Sequence, residues 1–190
     1  MTDTKKRLPA IAPEAMTPAQ KAVADAIMAG PRGGLRGPFN AWLHSPEFAD
    51  RMQKVGEYIR FQSSLGPRLN EMAILITAAH CSAPYEWYAH HPLAMKAGLQ
   101  ADIAEAIAAR QRPEKMREDE AIVYDACQQL HNHRMLDDAV YARAVAAFGE
   151  QGVVELIGVT GYYTIVAMTL NVARVLPPAD AVVPVKAPEG

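Results

Sequence analysis

Apolar residues recur every three or four positions along most of the chain, which is the spacing of one face of an α-helix. Between Arg68 and Ala83, for example, Met72, Leu75 and Ala79 follow this spacing. No stretch alternates apolar and polar residues in the way that a half-buried strand does. The pattern therefore predicts an all-α protein, a helical bundle of about eight helices.

Capping residues, prolines and glycines mark where the predicted helices begin and end. Thr17 before Pro18 is typical of an N-cap followed by the first helical residue, and Gly98 favours a left-handed C-cap. The predicted helical segments are 17–28, 39–44, 46–62, 68–83, 84–96, 101–112, 118–132, 137–148 and 153–175.

The length of 190 residues suits a single domain. We expect this domain to cover residues 1–176, with an extended lead-in before Thr17. Residues 177–190 are rich in proline, so we expect them to form a loose C-terminal tail.

Half of the residues are hydrophobic, 21% are charged and the formal net charge is −2. Without a basic face there is no sign of nucleic-acid binding, and the two cysteines are too few for a disulfide framework. The basic N-terminal residues precede no apolar run, unlike a secretory signal.

The apolar segment 153–176 contains Glu155 and Arg174, which favours a core helix over a membrane span. We therefore expect a cytoplasmic protein without membrane partners.

Glu86 and His90 are four residues apart, so a helix places both on one face. Trp87 and Tyr88 flank the pair with apolar bulk. A carboxylate and an imidazole that are buried together can share a proton near neutral pH, as a proton-transfer catalyst requires. Such pairs are also common on solvated helix faces, and Glu71 could merely suit a helix dipole. Spacing alone leaves both interpretations open.

The segment 69–99 carries a combination of motifs: Glu71, then Tyr85-Glu86-Trp87, His90 four residues after that glutamate, and Ala97-Gly98-Leu99. This combination resembles the core motif of the carboxymuconolactone decarboxylase family, which includes the alkylhydroperoxidase D-like proteins. The resemblance extends more loosely over most of the chain. It implies an alkylhydroperoxidase D-like helical fold and a homo-oligomer, a trimer or hexamer, for which the long apolar last helix is suited.

The peroxidase branch of that family has a Cys-x-x-Cys motif at the positions that Ala83 and Glu86 hold here. The chain therefore resembles the decarboxylase branch, whose members are cofactor-free and act on a γ-lactone that bears a carboxylate. The resemblance implies that His90 donates the proton or stabilises the enolate, that Glu86 sets its protonation, and that Glu71 braces the pair. The sequence does not order these three roles.

An acidic substrate needs a cation, and arginine is the natural partner of a carboxylate. We expect Arg36 to lie at the mouth of the pocket, with Trp42 close by in the substrate-binding set. Tyr163 on the last helix is expected to line the cavity, although it could instead bond within the core. Other available cations are Arg32, Arg60 and Arg68.

Metal and cofactor sites are not expected. His131 and His133 diverge on a helix, so we expect them at a solvated helix end rather than on a metal ion. The predicted function is a cofactor-free lyase or proton-transfer enzyme for a small carboxylated lactone or enolisable compound of aromatic catabolism. Two alternatives are a redox protein that uses Cys81 and a ligand-binding protein without catalysis.

Overall fold

The computed structural model describes residues 7–188, and within them the protein is all-α, as the apolar spacing predicts. A short 3-10 turn at Pro13–Ala15 precedes the first α-helix. The eight α-helices of the described residues are α1 Pro18–Ala29, α2 Phe39–Trp42, α3 Pro46–Phe61, α4 Gly66–His80, α5 Pro84–Lys96, α6 Ala101–Ala108, α7 Glu118–His133 and α8 Asp138–Ala173.

Local signals set several of these boundaries. Thr17 accepts a hydrogen bond from the backbone of Gln20, whose side chain bonds the Thr17 backbone in return, so α1 begins with a capping box. Gly98 has φ of +92° after α5, which confirms the predicted left-handed end of that helix.

Helix α4 is the centre of the core. Every residue from Leu69 to Ala79 is buried, and the helix packs against α5, α7 and α8. A helix that is buried on all sides needs apolar or small side chains around its whole circumference. The polar exceptions on α4 are Asn70, Glu71 and Thr77.

Helix α8 is interrupted at Gly149, where φ is 68° and ψ is 175°. This confirms the predicted break between residues 148 and 153, because a glycine adopts that conformation without the strain of a side chain. By length and composition alone α8 could cross a membrane, but 56% of its most apolar window is buried inside the protein. That burial is typical of a core helix.

The C-terminal segment departs from the expectation of a loose tail at residues 183 and 185, although the described residues 177–188 form no helix or strand and most of them are exposed. Val185 is buried in the main core, and Val183 packs against that core. Alternate valines give the segment an apolar side, and Pro184 between them restricts the backbone, which favours docking. Residues 189 and 190, and residues 1–6 of the lead-in, lie outside the described part.

A buried carboxylate ties α8 to the connection between α3 and α4. Glu155 accepts hydrogen bonds from the Tyr58 hydroxyl at 2.5 Å, the Ser63 hydroxyl at 2.9 Å, and the Ser64 backbone N–H at 2.6 Å. Burial alone would raise the pKa of Glu155, but the hydrogen bonds it accepts, first of all from Tyr58, outweigh burial and lower it to about 2.

We expect Glu155→Gln to lower the free energy of unfolding near neutral pH by about 1–3 kcal/mol, because buried donors lose a charged acceptor. A carboxylate with a lowered pKa stabilises the fold above its ordinary pKa of 4.5, and this contribution is lost as the pH falls towards 2. The parent should therefore lose more stability than the variant over that interval. Urea unfolding against pH measures both effects.

The matched control is Glu150→Gln, an exposed glutamate of the same helix. Its free energy of unfolding should stay within about 0.5 kcal/mol of the parent value. Equal stability of Glu155→Gln and the parent would contradict the assigned role of Glu155.

Candidate active site

A tight connection between α4 and α5 brings the predicted trio together. Ser82 has φ of 52°, and the Ala83 N–H donates to the Ala78 carbonyl at 2.9 Å, which closes the end of α4. The chain reverses in three residues, so α5 packs back along α4. Glu71 and His90, 19 residues apart in sequence, thereby meet across the helix interface.

His90 lies between two carboxylates. Its Nδ1 is 2.7 Å from Oε2 of Glu71, and its Nε2 is 3.1 Å from Oε1 of Glu86. All three residues are buried, with 7%, 3% and 5% of Glu71, Glu86 and His90 exposed. An imidazole that donates from both nitrogens is the protonated imidazolium form. The burial of Glu86 and His90 excludes the interpretation that this pair decorates a solvated helix face.

The carboxylates decide the charge of the ring. Burial alone would lower the pKa of His90, but the hydrogen bonds and charges of Glu71 and Glu86 outweigh it and raise the pKa to about 9. His90 is therefore charged at neutral pH although it is buried.

A cavity of about 560 Å³ opens beside this trio. Glu86 and His90 line it, whereas Glu71 lies behind His90. This volume is in the range of small-molecule sites. The geometry thus distinguishes two residues that can meet a ligand from one that supports them.

Tyrosines of α8 form the neighbouring wall. Tyr163 lines the cavity, as predicted, and its ring meets the His90 ring edge-on with centroids 5.1 Å apart. Burial raises the pKa of Tyr163 well above its ordinary value and that of Tyr162 to about 12. Both phenols therefore stay neutral near physiological pH and can donate a hydrogen bond.

The cations differ in their placement. Arg36 lines the cavity and is exposed, as expected of a residue at its mouth. Arg32 and Arg60 also line it. The sequence indicated both only as available cations. Arg32 lies in the glycine-rich loop of residues 30–38, whose path a single sequence does not predict, and Arg60 lies on α3. Arg68 instead bonds Asp119 and Glu120.

Trp42 is the substrate-binding candidate that the structure does not bring to the cavity. It is buried behind Phe39, with ring centroids 5.5 Å apart, and its indole N–H donates to the Thr169 hydroxyl at 2.9 Å. A large aromatic ring whose polar atom finds a partner is stable in the core. Trp42 therefore supports the wall instead of lining it.

His131 is also placed otherwise than expected. It is buried instead of lying at a solvated helix end, and its ring stacks on His80 at 4.3 Å. Burial, with smaller effects of His80 and Arg134, lowers the pKa of His131 to about 4. Between residues 7 and 188 no group of three or more His, Cys, Asp or Glu side chains could hold a metal ion.

Comparison with known proteins gives no family assignment. No protein-family model, no curated protein and no solved structure matches the chain. The geometry of the site and the motif resemblance are therefore the grounds for assigning a function.

Proposed function

We propose that this protein is a cofactor-free lyase or proton-transfer enzyme with an alkylhydroperoxidase D-like fold, similar to the carboxymuconolactone decarboxylases. Its substrate is a small carboxylated lactone or enolisable compound of aromatic catabolism. The observation that carries the proposal is the buried Glu71–His90–Glu86 trio at the edge of a cavity of about 560 Å³.

In the proposed reaction the carbon–carbon bond to a carboxylate breaks and CO₂ leaves. The electron pair of that bond moves into the unsaturated lactone, which becomes a dienolate, and a proton is then added at a distant carbon. The pair of His90 and Glu86 supplies this proton and regains one from water. Because both ring nitrogens of His90 face carboxylates, the path of the proton into the cavity runs through Glu86.

Glu71 and Tyr163 have supporting roles in this scheme. Glu71 fixes the orientation of the His90 ring from α4 and favours its charged form. Tyr163, neutral and beside His90, is our candidate donor to the enolate oxygen, where a fixed dipole lowers the cost of the developing charge.

The thiol-based alternative has little support from the described residues. Cys81 and Cys127 are both free. Burial raises the pKa of Cys81, and it raises that of Cys127 to about 12. A thiol with a raised pKa is mostly protonated at neutral pH and is a poor nucleophile. Loss of activity on thiol alkylation would nevertheless favour this alternative.

We expect Glu86→Gln and His90→Asn to lower the rate of CO₂ release by a factor of about 10²–10⁴, since each removes a partner in proton transfer. The assay uses a panel of carboxylated γ-lactones and also follows deuterium incorporation from D₂O into the product. His91→Asn is the matched control, because the His91 ring stacks on Trp87 instead of joining the trio.

Rates of both variants equal to that of the parent would contradict the mechanism. If the parent binds a lactone of the panel but turns none over, the ligand-binding alternative is favoured.

The charge of His90 gives a dependence of stability on pH. Its pKa is about 9 in the folded protein against an ordinary 6.5, so the carboxylates stabilise the fold fully below 6.5. This contribution, about 3 kcal/mol, is lost as the pH rises through about 9. In Glu71→Gln the pKa of His90 should be raised less. The variant should therefore lose less stability as the pH rises, and the loss should be complete at a lower pH, as measured by urea unfolding.

Glu114→Gln, at an exposed position, serves as the control and should keep the pH dependence of the parent. An unchanged pH dependence in Glu71→Gln would show that His90 does not depend on this carboxylate.

We also propose that the protein is a homo-oligomer, supported by an apolar stripe on the outer side of α8. Residues spaced three or four positions apart leave large apolar side chains in contact with solvent, as interaction surfaces do. The stripe consists of Val154, Ile157, Ile165, Met168 and Val172, and the exposed Gly161 fills the position between Ile157 and Ile165.

We expect the double variant Ile157→Lys with Met168→Lys to dissociate the oligomer. In the assembled interface the lysines of neighbouring subunits would repel one another, and burying them would remove their hydration. Sedimentation velocity measures the mass. Val182→Lys, at a fully exposed position off the stripe, should leave the mass unchanged. A parent protein that sediments as a monomer would refute the oligomer.

A further inference from the structure

Three arginines line the cavity that Glu86 and His90 share: Arg32, Arg36 and Arg60. Within residues 7–188 none of the three forms an ion pair with a carboxylate. Other arginines do: Arg68, for example, pairs with Asp119 and Glu120. The wall of this cavity thus carries three arginines that have no carboxylate within ion-pair distance among the described residues.

Arg32 is the most constrained of the three. Its guanidinium carbon lies 4.9 Å from the centroid of the Phe39 ring and 5.9 Å from that of Phe61. Two of its nitrogens, Nε and Nη2, are shielded from water and have no hydrogen-bond partner among the described residues. Donors that have neither water nor a hydrogen-bond partner are costly, so a carboxylate close to this guanidinium would lower that cost.

Gly56 of α3 provides the space for this arrangement. A Cβ atom at that position would lie 2.6 Å from Nη2 of Arg32 and 2.0 Å from the hydroxyl oxygen of Tyr162. Any larger residue at 56 would therefore displace both polar groups. Because Gly56 has no side chain, the guanidinium of Arg32 and the phenol of Tyr162 pack against the backbone of α3.

We infer that Arg32, assisted by Arg36 and Arg60, binds a carboxylate of the ligand in this cavity. A guanidinium is planar, and its parallel N–H groups match the two oxygens of a carboxylate. Arg32, Arg36 and Arg60 all line the cavity, so a carboxylate bound there has three guanidinium groups around it. Arg36, exposed at the mouth, attracts the anion from solvent.

The role of the bound carboxylate follows from energetics, and this step rests on the proposed function. Tight binding of the carboxylate that leaves as CO₂ would stabilise the ground state and slow the reaction. The carboxylate on Arg32 is therefore one that the product retains. In an active enzyme, loss of Arg32 should raise KM with little change in kcat, since uniform binding is lost.

Direct binding tests the inference without turnover. The probes are 2-furoate, its uncharged analogue 2-furamide, and inorganic phosphate, measured by isothermal titration calorimetry on the full chain. We expect the parent to bind 2-furoate at least about tenfold tighter than 2-furamide. Arg32→Gln should weaken 2-furoate binding about tenfold to a hundredfold and leave 2-furamide binding unchanged, which also shows that the cavity is intact.

Two further variants sharpen the result. Arg32→Lys keeps the charge but loses the planar pair of donors, so it should recover only part of the affinity for 2-furoate. Arg51→Gln, which removes an exposed arginine that pairs with Glu47, should bind as the parent does.

The inference is overturned if the parent does not bind 2-furoate, binds 2-furamide equally well, or binds phosphate more tightly than 2-furoate. It is also overturned if Arg32→Gln binds 2-furoate like the parent. Binding through Arg32 without any lyase activity would refute the proposed function alone. Lyase activity with an unchanged KM in Arg32→Gln would refute the inference alone.

Discussion

The structure depends on one imidazole held between two carboxylates away from water. Removing three ionisable groups from solvent costs several kcal/mol for each charge, and the arrangement is stable only when the groups bond one another. His90 meets this condition with one nitrogen on Glu71 and the other on Glu86. The same bonds keep a proton on the ring at neutral pH, so the contacts that stabilise the helix interface also store the proton that the proposed reaction consumes.

The surrounding helices hold this interaction in place. The three-residue turn after α4 fixes how α5 packs along it, which decides that the side chains of Glu71 and His90 meet. Helix α8 closes the site with Tyr163 and is tied by Glu155 to the connection before α4. The site and the core are therefore coupled, and Glu86, His90 and Tyr163 project from helices, which hold a catalytic geometry more precisely than loops do.

The sequence predicted what depends on local spacing. The spacing of apolar residues was sufficient to predict where the helices lie. The separation of four residues was sufficient to predict that Glu86 and His90 share one helix face. The bond from Glu71 depends on the packing of two helices, and only the motif resemblance pointed to it. The positions of Arg32, Trp42 and His131 depend on loop paths and distant contacts, which a single sequence does not encode locally. Val185 docks on the core because tertiary burial outweighs a proline-rich composition.

The protonation of His90 tests the central claim most directly. Nuclear magnetic resonance of protein with ¹⁵N-labelled histidine, assigned with His90→Asn, reports how many ring nitrogens carry a proton. The account predicts that both nitrogens are protonated near neutral pH, with strongly deshielded N–H protons, and that the ring titrates at about 9. A neutral ring with a single N–H at neutral pH, or titration near the ordinary 6.5, would contradict it.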